Sequence, residues 1–79
     1  MTDTDVKVVQ IIAEYLGLSP EDIDRHALLR EELNLGPIEL HDLLTELSQK
    51  FNVTFDDVDM EDLKKVDDLI VLIEDNLLD

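Results

Sequence analysis

Apolar residues recur along this chain at helical spacing, and no useful stretch keeps the period of two that a half-buried strand needs. Val6, Val9, Ile12 and Leu16, with Val8, Ile11 and Tyr15 alongside, predict a first helix whose first-turn amides Thr2 or Thr4 can cap. Gly17 ends it, because glycine accepts the positive φ of a C-terminal cap. The run "SPEDI" is a fresh start signal, with Ser19 as cap, Pro20 at the first helical position and Asp22 three residues on; it predicts a short turn. Residues 24–35 hold no single period and are expected to form a long loop pinned to the core by Leu28, Leu29 and Leu33, with Leu35 as a further anchor.

A second helix is predicted over residues 37–51, with Leu40, Leu43, Leu44, Leu47 and Phe51 on one face. "NVTF" is β-branched, yet a lone strand has no ladder partner, so it is expected to be extended loop. "DVDMEDL" predicts a short helix capped by Asp57 or Asp59. Val66, Leu69, Ile70, Ile73 and Leu77 predict a last helix over residues 66–78, whose cap is expected to be poor because Lys65 cannot accept from first-turn amides. The reading is all-α: a bundle of three main helices and one short one, with a long loop after the first.

A chain of 79 residues suits one domain, 1–79, with a modest core, and 44% hydrophobic residues suffice for folding despite the high charge. The absence of cysteine excludes disulfides, thiolate zinc sites and thiol nucleophiles. The lack of cysteine fits a reducing compartment, so a cytoplasmic protein is expected, and no apolar run reaches transmembrane length while "MTDTDVK" lacks the features of a signal peptide; a monomer is expected as well. The formal net charge of −15 repels phosphate backbones and anionic lipid surfaces, which argues against nucleic acid and membrane as partners.

Helix order, acidity and length together resemble the acyl carrier protein family, and two stretches carry the likeness: "LGLSPEDIDRHALLREEL" and "LNLGPIELHDLLTELSQKFNVTF". The resemblance runs without a gap over residues 16–73 and implies a carrier-like four-helix bundle. The family's glycine-aspartate-serine-leucine-type motif, whose serine carries 4′-phosphopantetheine, falls on this region. Its aspartate lies on Gly36, its serine on Pro37 and its leucine on Ile38, while the acidic residue that follows is kept as Glu39. Proline has no nucleophilic side chain, so the resemblance implies that the attachment site is absent at Pro37 and that no cofactor is held there. Pro37 nevertheless makes a sound helix start, since its missing N–H and fixed φ cost nothing at the first position; Gly36 is a tolerable cap and Glu39 favours the helix dipole.

Other chemistry is weakly signalled. Ser19, Thr45, Ser48 and Thr54 lack the motif's neighbours and read as capping, turn or surface hydroxyls. His26 and His41 have no hydroxyl or thiol partner at a recognisable spacing, so they read as loop and helix-surface residues and the chain is not expected to be an enzyme. "DDVDMED" crowds Asp56, Asp57, Asp59, Glu61 and Asp62 but lacks the spacing of a calcium loop, and no specific metal site is expected.

On the second helix, Glu39, Asp42 and Glu46 form an acidic stripe, beside a semi-apolar strip of Ile38, His41 and Thr45. Periodicity alone reads this as a solvated face with a Glu46 to Lys50 pair. The resemblance implies instead a docking face for partners with basic surfaces, such as enzymes of fatty acid or polyketide synthesis. The expected function is that of a carrier homologue without the attachment serine, acting as a small acidic interaction module. Two alternatives stand beside it: a working carrier modified at an unusual hydroxyl, and a bundle that binds lipid noncovalently.

Overall fold

The computed structural model describes residues 3–55 and 58–77. Three helices, α1 (Asp3–Leu16), α2 (Pro37–Phe51) and α3 (Val66–Leu77), alternate with two single 3₁₀ turns at Pro20–Asp22 and Met60–Asp62. No strand occurs among the described residues, and "NVTF" is irregular, as its lack of a partner predicts. α1 packs against both α2 and α3. The core is built from Val8 and Ile12 of α1, Leu40, Leu43, Leu44 and Leu47 of α2, and Val66, Leu69, Ile70 and Ile73 of α3. No described helix is long and apolar enough to cross a membrane.

Helix ends follow local chemistry. α1 stops at Gly17, whose φ of +71° lets the Leu18 amide reach back to the Ala13 carbonyl at 2.8 Å. α2 ends at Asn52, in the same left-handed region with φ of 55°. Asp59 caps the second 3₁₀ turn, its carboxylate accepting from the Glu61 amide, whereas Asp57 lies outside the described residues. Ser19 holds the cap position of the first turn, but its hydroxyl makes no capping bond. Thr4 is inside α1 instead of ahead of it, and Thr2 lies outside the described residues.

Two more expectations need correction. The buried face of α1 is Asp5, Val8, Ile12 and Ala13, rotated from the predicted one; Val6 is 39% exposed and Val9 only half-buried. An aspartate on the core stripe hid the true register, and it is tolerated because Arg25 donates to it at 2.8 Å while donating to Asp67 of α3 at 2.6 Å. Hydrogen bonding to Asp67, ahead of the nearby carboxylate charges, raises the Arg25 pKa above its ordinary value. The start of α3 is also well capped. Asp68 accepts from the amides of Lys64 and Lys65, while the Val66 and Asp67 amides donate to the loop carbonyls of Ala27 and Arg25.

These bonds sew the long loop to α3. An isolated antiparallel bridge joins Leu28 to Lys65, and the Leu29 amide donates to the Lys64 carbonyl at 2.8 Å. Leu29 and Leu35 are buried as expected, Leu28 and Leu33 only half so, and Ile23 and Ala27 are further buried anchors. The loop thereby fixes where α2 begins.

Candidate functional site

The chain enters α2 through a defined turn. Asn34 takes a left-handed φ of 58°, and the Leu35 amide donates to the Leu29 carbonyl at 2.8 Å, which fixes the approach. Gly36 is extended, with φ of −75°, and its carbonyl accepts the first helical bond from the Leu40 amide at 2.8 Å. Pro37 follows at the first helical position, and no side chain caps the helix. Glu39 folds back over Gly36: a Cβ added at Gly36 would stand 2.8 Å from a Glu39 carboxylate oxygen. Negative charge therefore does reach the start of α2, from within its first turn, where the dipole favours it.

Ile38, Glu39, His41, Asp42, Thr45 and Glu46 are all exposed, and Ile38 is bare to 75%. At about 100° per residue they share an arc of roughly 160°, opposite the core leucines of the same helix. The six predicted surface residues thus lie on one outward face of α2, with Glu39, Asp42 and Glu46 as its acidic stripe. Thr45 donates its hydroxyl to the His41 carbonyl, anchoring it to the helix. No ion pair joins Glu46 to Lys50, so the stripe is not neutralised in that way.

Tyr15 of α1 was not legible as part of this region. Burial, then the charges of Asp42, Glu39 and Glu46, raise its phenol pKa, so the side chain feels the stripe across the helix interface. A cross-helix neighbour leaves no trace in the period of either helix.

Clefts flank α2 among the described residues. One of about 540 Å³ lies beside Gly36, Pro37 and Leu40, walled by Leu28, Met60 and Leu63. Another, of about 510 Å³, is lined by His41, Leu44, Thr45, Phe55, Val58 and Met60. Hydroxyls near the helix are engaged: Ser48 donates to the Val53 carbonyl at 2.6 Å, as Thr45 does to His41. His26 is an exposed loop residue whose amide donates to Asp24, and His41 is exposed on α2. Asp59, Glu61 and Asp62 are exposed; Asp56 and Asp57 lie outside the described residues, and no described carboxylate or histidine group is arranged to hold a metal ion.

The family model described as "Phosphopantetheine attachment site" matches residues 6–73. The acyl carrier protein of Chlamydia muridarum is 36% identical over 73 residues, 92% of each chain. That of Thermotoga maritima is 34% identical over 71 residues, covering 90% of this chain and 88% of the relative. That of Phytoplasma australiense is 31% identical over 71 residues, covering 90% and 93%. With the helical order, the long tethered loop and the outward face of α2 already described, these matches assign the chain: it belongs to the acyl carrier protein family.

Proposed function

We propose that this chain is an acyl carrier protein homologue that holds no covalent phosphopantetheine arm and acts as a small acidic interaction module, a cytoplasmic monomer that docks basic partners through α2. The observation that carries the reading is Pro37. It stands where the family's serine falls on this sequence, at the first position of α2, and presents no hydroxyl for a transferase to modify. Gly36 likewise offers no carboxylate there. The residues at this position do not fit the prosthetic group.

The docking half of the proposal draws on the outward face of α2. Carrier proteins work by engaging synthesis enzymes, and Glu39, Asp42 and Glu46 stand exposed without lysine or arginine partners among the described residues. Bare Ile38 adds an apolar contact at the edge of the stripe.

Coexpression with a broad-specificity phosphopantetheinyl transferase, followed by intact mass measurement, tests the first half. The unaltered chain is expected to show no adduct, and the double substitution Gly36→Asp, Pro37→Ser to gain one. An adduct on the unaltered chain would overturn the reading. It would favour a second one, a working carrier modified at another hydroxyl, which is supported by the match to a family model defined by attachment. Peptide mapping would then decide among the exposed Ser19 and Thr54 and the bonded Thr45 and Ser48.

A further inference from the structure

We infer that the cleft between α1 and the last turn of α2 binds a small apolar monocarboxylate, a single carboxylate on one ring or a short branched chain, and selects it by a local surplus of one positive charge. The site lies at the far end of α2 from Pro37, about 20 Å along the helix at 1.5 Å per residue, and does not depend on the reading given above. Lys7, Gln10, Ile11 and Glu14 of α1 recur at i, i+3, i+4 and i+7, on a stripe turned away from the buried face of Asp5, Val8, Ile12 and Ala13. With Lys50 and Phe51 of α2 they line a cleft of about 310 Å³, at the lower end of the range for small-molecule sites. Ile11 and Phe51 are half-buried and form its apolar floor, while the four polar side chains are exposed at its rim.

Cations are scarce in this chain, with 6 Lys and Arg against 21 Asp and Glu, and two of them meet at this cleft. Lys50 sits in the last turn of α2, where the helix dipole favours it, but that explains neither the convergence with Lys7 nor the lack of partners. Asp3 and Glu46 each precede one of these lysines by four residues, yet among the described residues no ion pair engages Lys7 or Lys50. Elsewhere the cations are balanced: Arg25 holds Asp5 and Asp67, and Arg30 and Lys64 share the cleft beside Pro37 with Glu31 and Glu61. Here Lys7 and Lys50 outnumber Glu14 by one. A single carboxylate neutralises that surplus, and the Gln10 amide can donate to the same group. A phosphate dianion overshoots it and meets the net charge of −15 with twice the penalty, whereas a neutral molecule gains only the apolar floor.

The probe is 3-phenylpropionate, titrated into the isotope-labelled full chain at neutral pH and constant ionic strength and followed by amide chemical shifts. Its roughly eleven non-hydrogen atoms, at the efficiency of drug-sized ligands, give an expected Kd of about 4 mM. Saturating shifts are expected on residues 7–14 and 50–51. The neutral 3-phenylpropanol is expected to bind the same unaltered chain about tenfold more weakly. Lys7→Gln and Lys50→Gln, both at exposed positions, are each expected to weaken the acid about threefold, with circular dichroism confirming the fold. Glu14→Gln is expected to tighten the acid and to admit phenyl phosphate, since the surplus then rises by one charge. Shifts that do not saturate, that fall instead on residues 28–40 or 60–64, or that the alcohol reproduces equally would overturn the site. Binding of phenyl phosphate to the unaltered chain as tightly as the acid, or no gain from Glu14→Gln, would overturn the charge selection and the proposal with it.

Discussion

Arg25→Met tests the tie that joins α1, the loop and α3. Methionine keeps most of the aliphatic stem and removes the guanidinium that donates to Asp5 at 2.8 Å and to Asp67 at 2.6 Å. The two halves differ in worth. The side chains of Arg25 and Asp67 are 39% and 37% exposed, so solvent screens that bond to about 0.2–1 kcal/mol. The Asp5 side chain is 7% exposed, and a hydrogen bond to a charged group in such a setting contributes about 1.5–3 kcal/mol. Asp5 keeps a further interaction within the fold, which favours the lower end. The expected loss is about 2–4 kcal/mol, a large share of what a domain of this size has. Urea titration followed by circular dichroism would measure it. Asp5→Asn is expected to cost less, since its amide oxygen still accepts from Arg25. Pairing Asp5→Leu with Arg25→Met is expected to recover much of the loss, because the desolvated charge goes with its partner. A loss below about 0.5 kcal/mol for Arg25→Met would show that the ion pair is incidental and that apolar packing alone holds the loop.

Two further outcomes are expected. Tyr15 is the single tyrosine and there is no tryptophan, so absorbance near 295 nm follows its ionisation alone; its midpoint is expected above the ordinary value near 10, and Asp42→Asn is expected to lower it. Because the folded pKa is raised, this group's contribution to stability is full below the unfolded value and is lost as pH rises through the folded one, so alkaline unfolding is expected to follow the phenol's titration; a midpoint unmoved by Asp42→Asn would remove the stripe as a cause. Asp68→Ala, which strips two amides of their acceptor at the start of α3, is expected to cost about 1 kcal/mol in urea unfolding, and a neutral result would mean that water replaces the cap without loss.

Local signals were readable in the sequence, and contacts between distant segments were not. α2 is predicted over residues 37–51 and spans them, because proline at the first position and leucines on one stripe are set by near neighbours. The same holds for Gly17 and for Asp59 as a cap. The register of α1 failed where a long-range partner intervened, since an aspartate on the buried stripe makes sense only once Arg25, twenty residues on, is placed beside it. α3 looked uncapped for a similar reason: two of its amide acceptors are carbonyls in the long loop. The outward face of α2 could be drawn from spacing, but the adjoining cleft and the proximity of Tyr15 require the other helices in position.

On the proposed reading, attachment and docking place separate demands on this architecture. On that reading, attachment would need one hydroxyl at the start of α2. The outward face of α2 depends on the helix as a whole, which is held by the Leu40 amide on the Gly36 carbonyl at one end, by Asn52 at the other, and by four buried leucines between them. Glycine and proline at positions 36 and 37 disturb none of these. Glu39 even returns a carboxylate to the ground that a side chain at 36 would occupy, so the negative potential at the end of the stripe does not rely on the family's aspartate. Restoring Gly36→Asp would push against that carboxylate, whose flexible end must swing away, with two like charges then competing for one helix start. The double substitution that regains a modifiable serine is therefore expected to lose a few tenths of a kcal/mol relative to Pro37→Ser alone, measurable by urea unfolding. A gain from the added aspartate would instead show that it caps α2 well enough to outweigh its repulsion with Glu39.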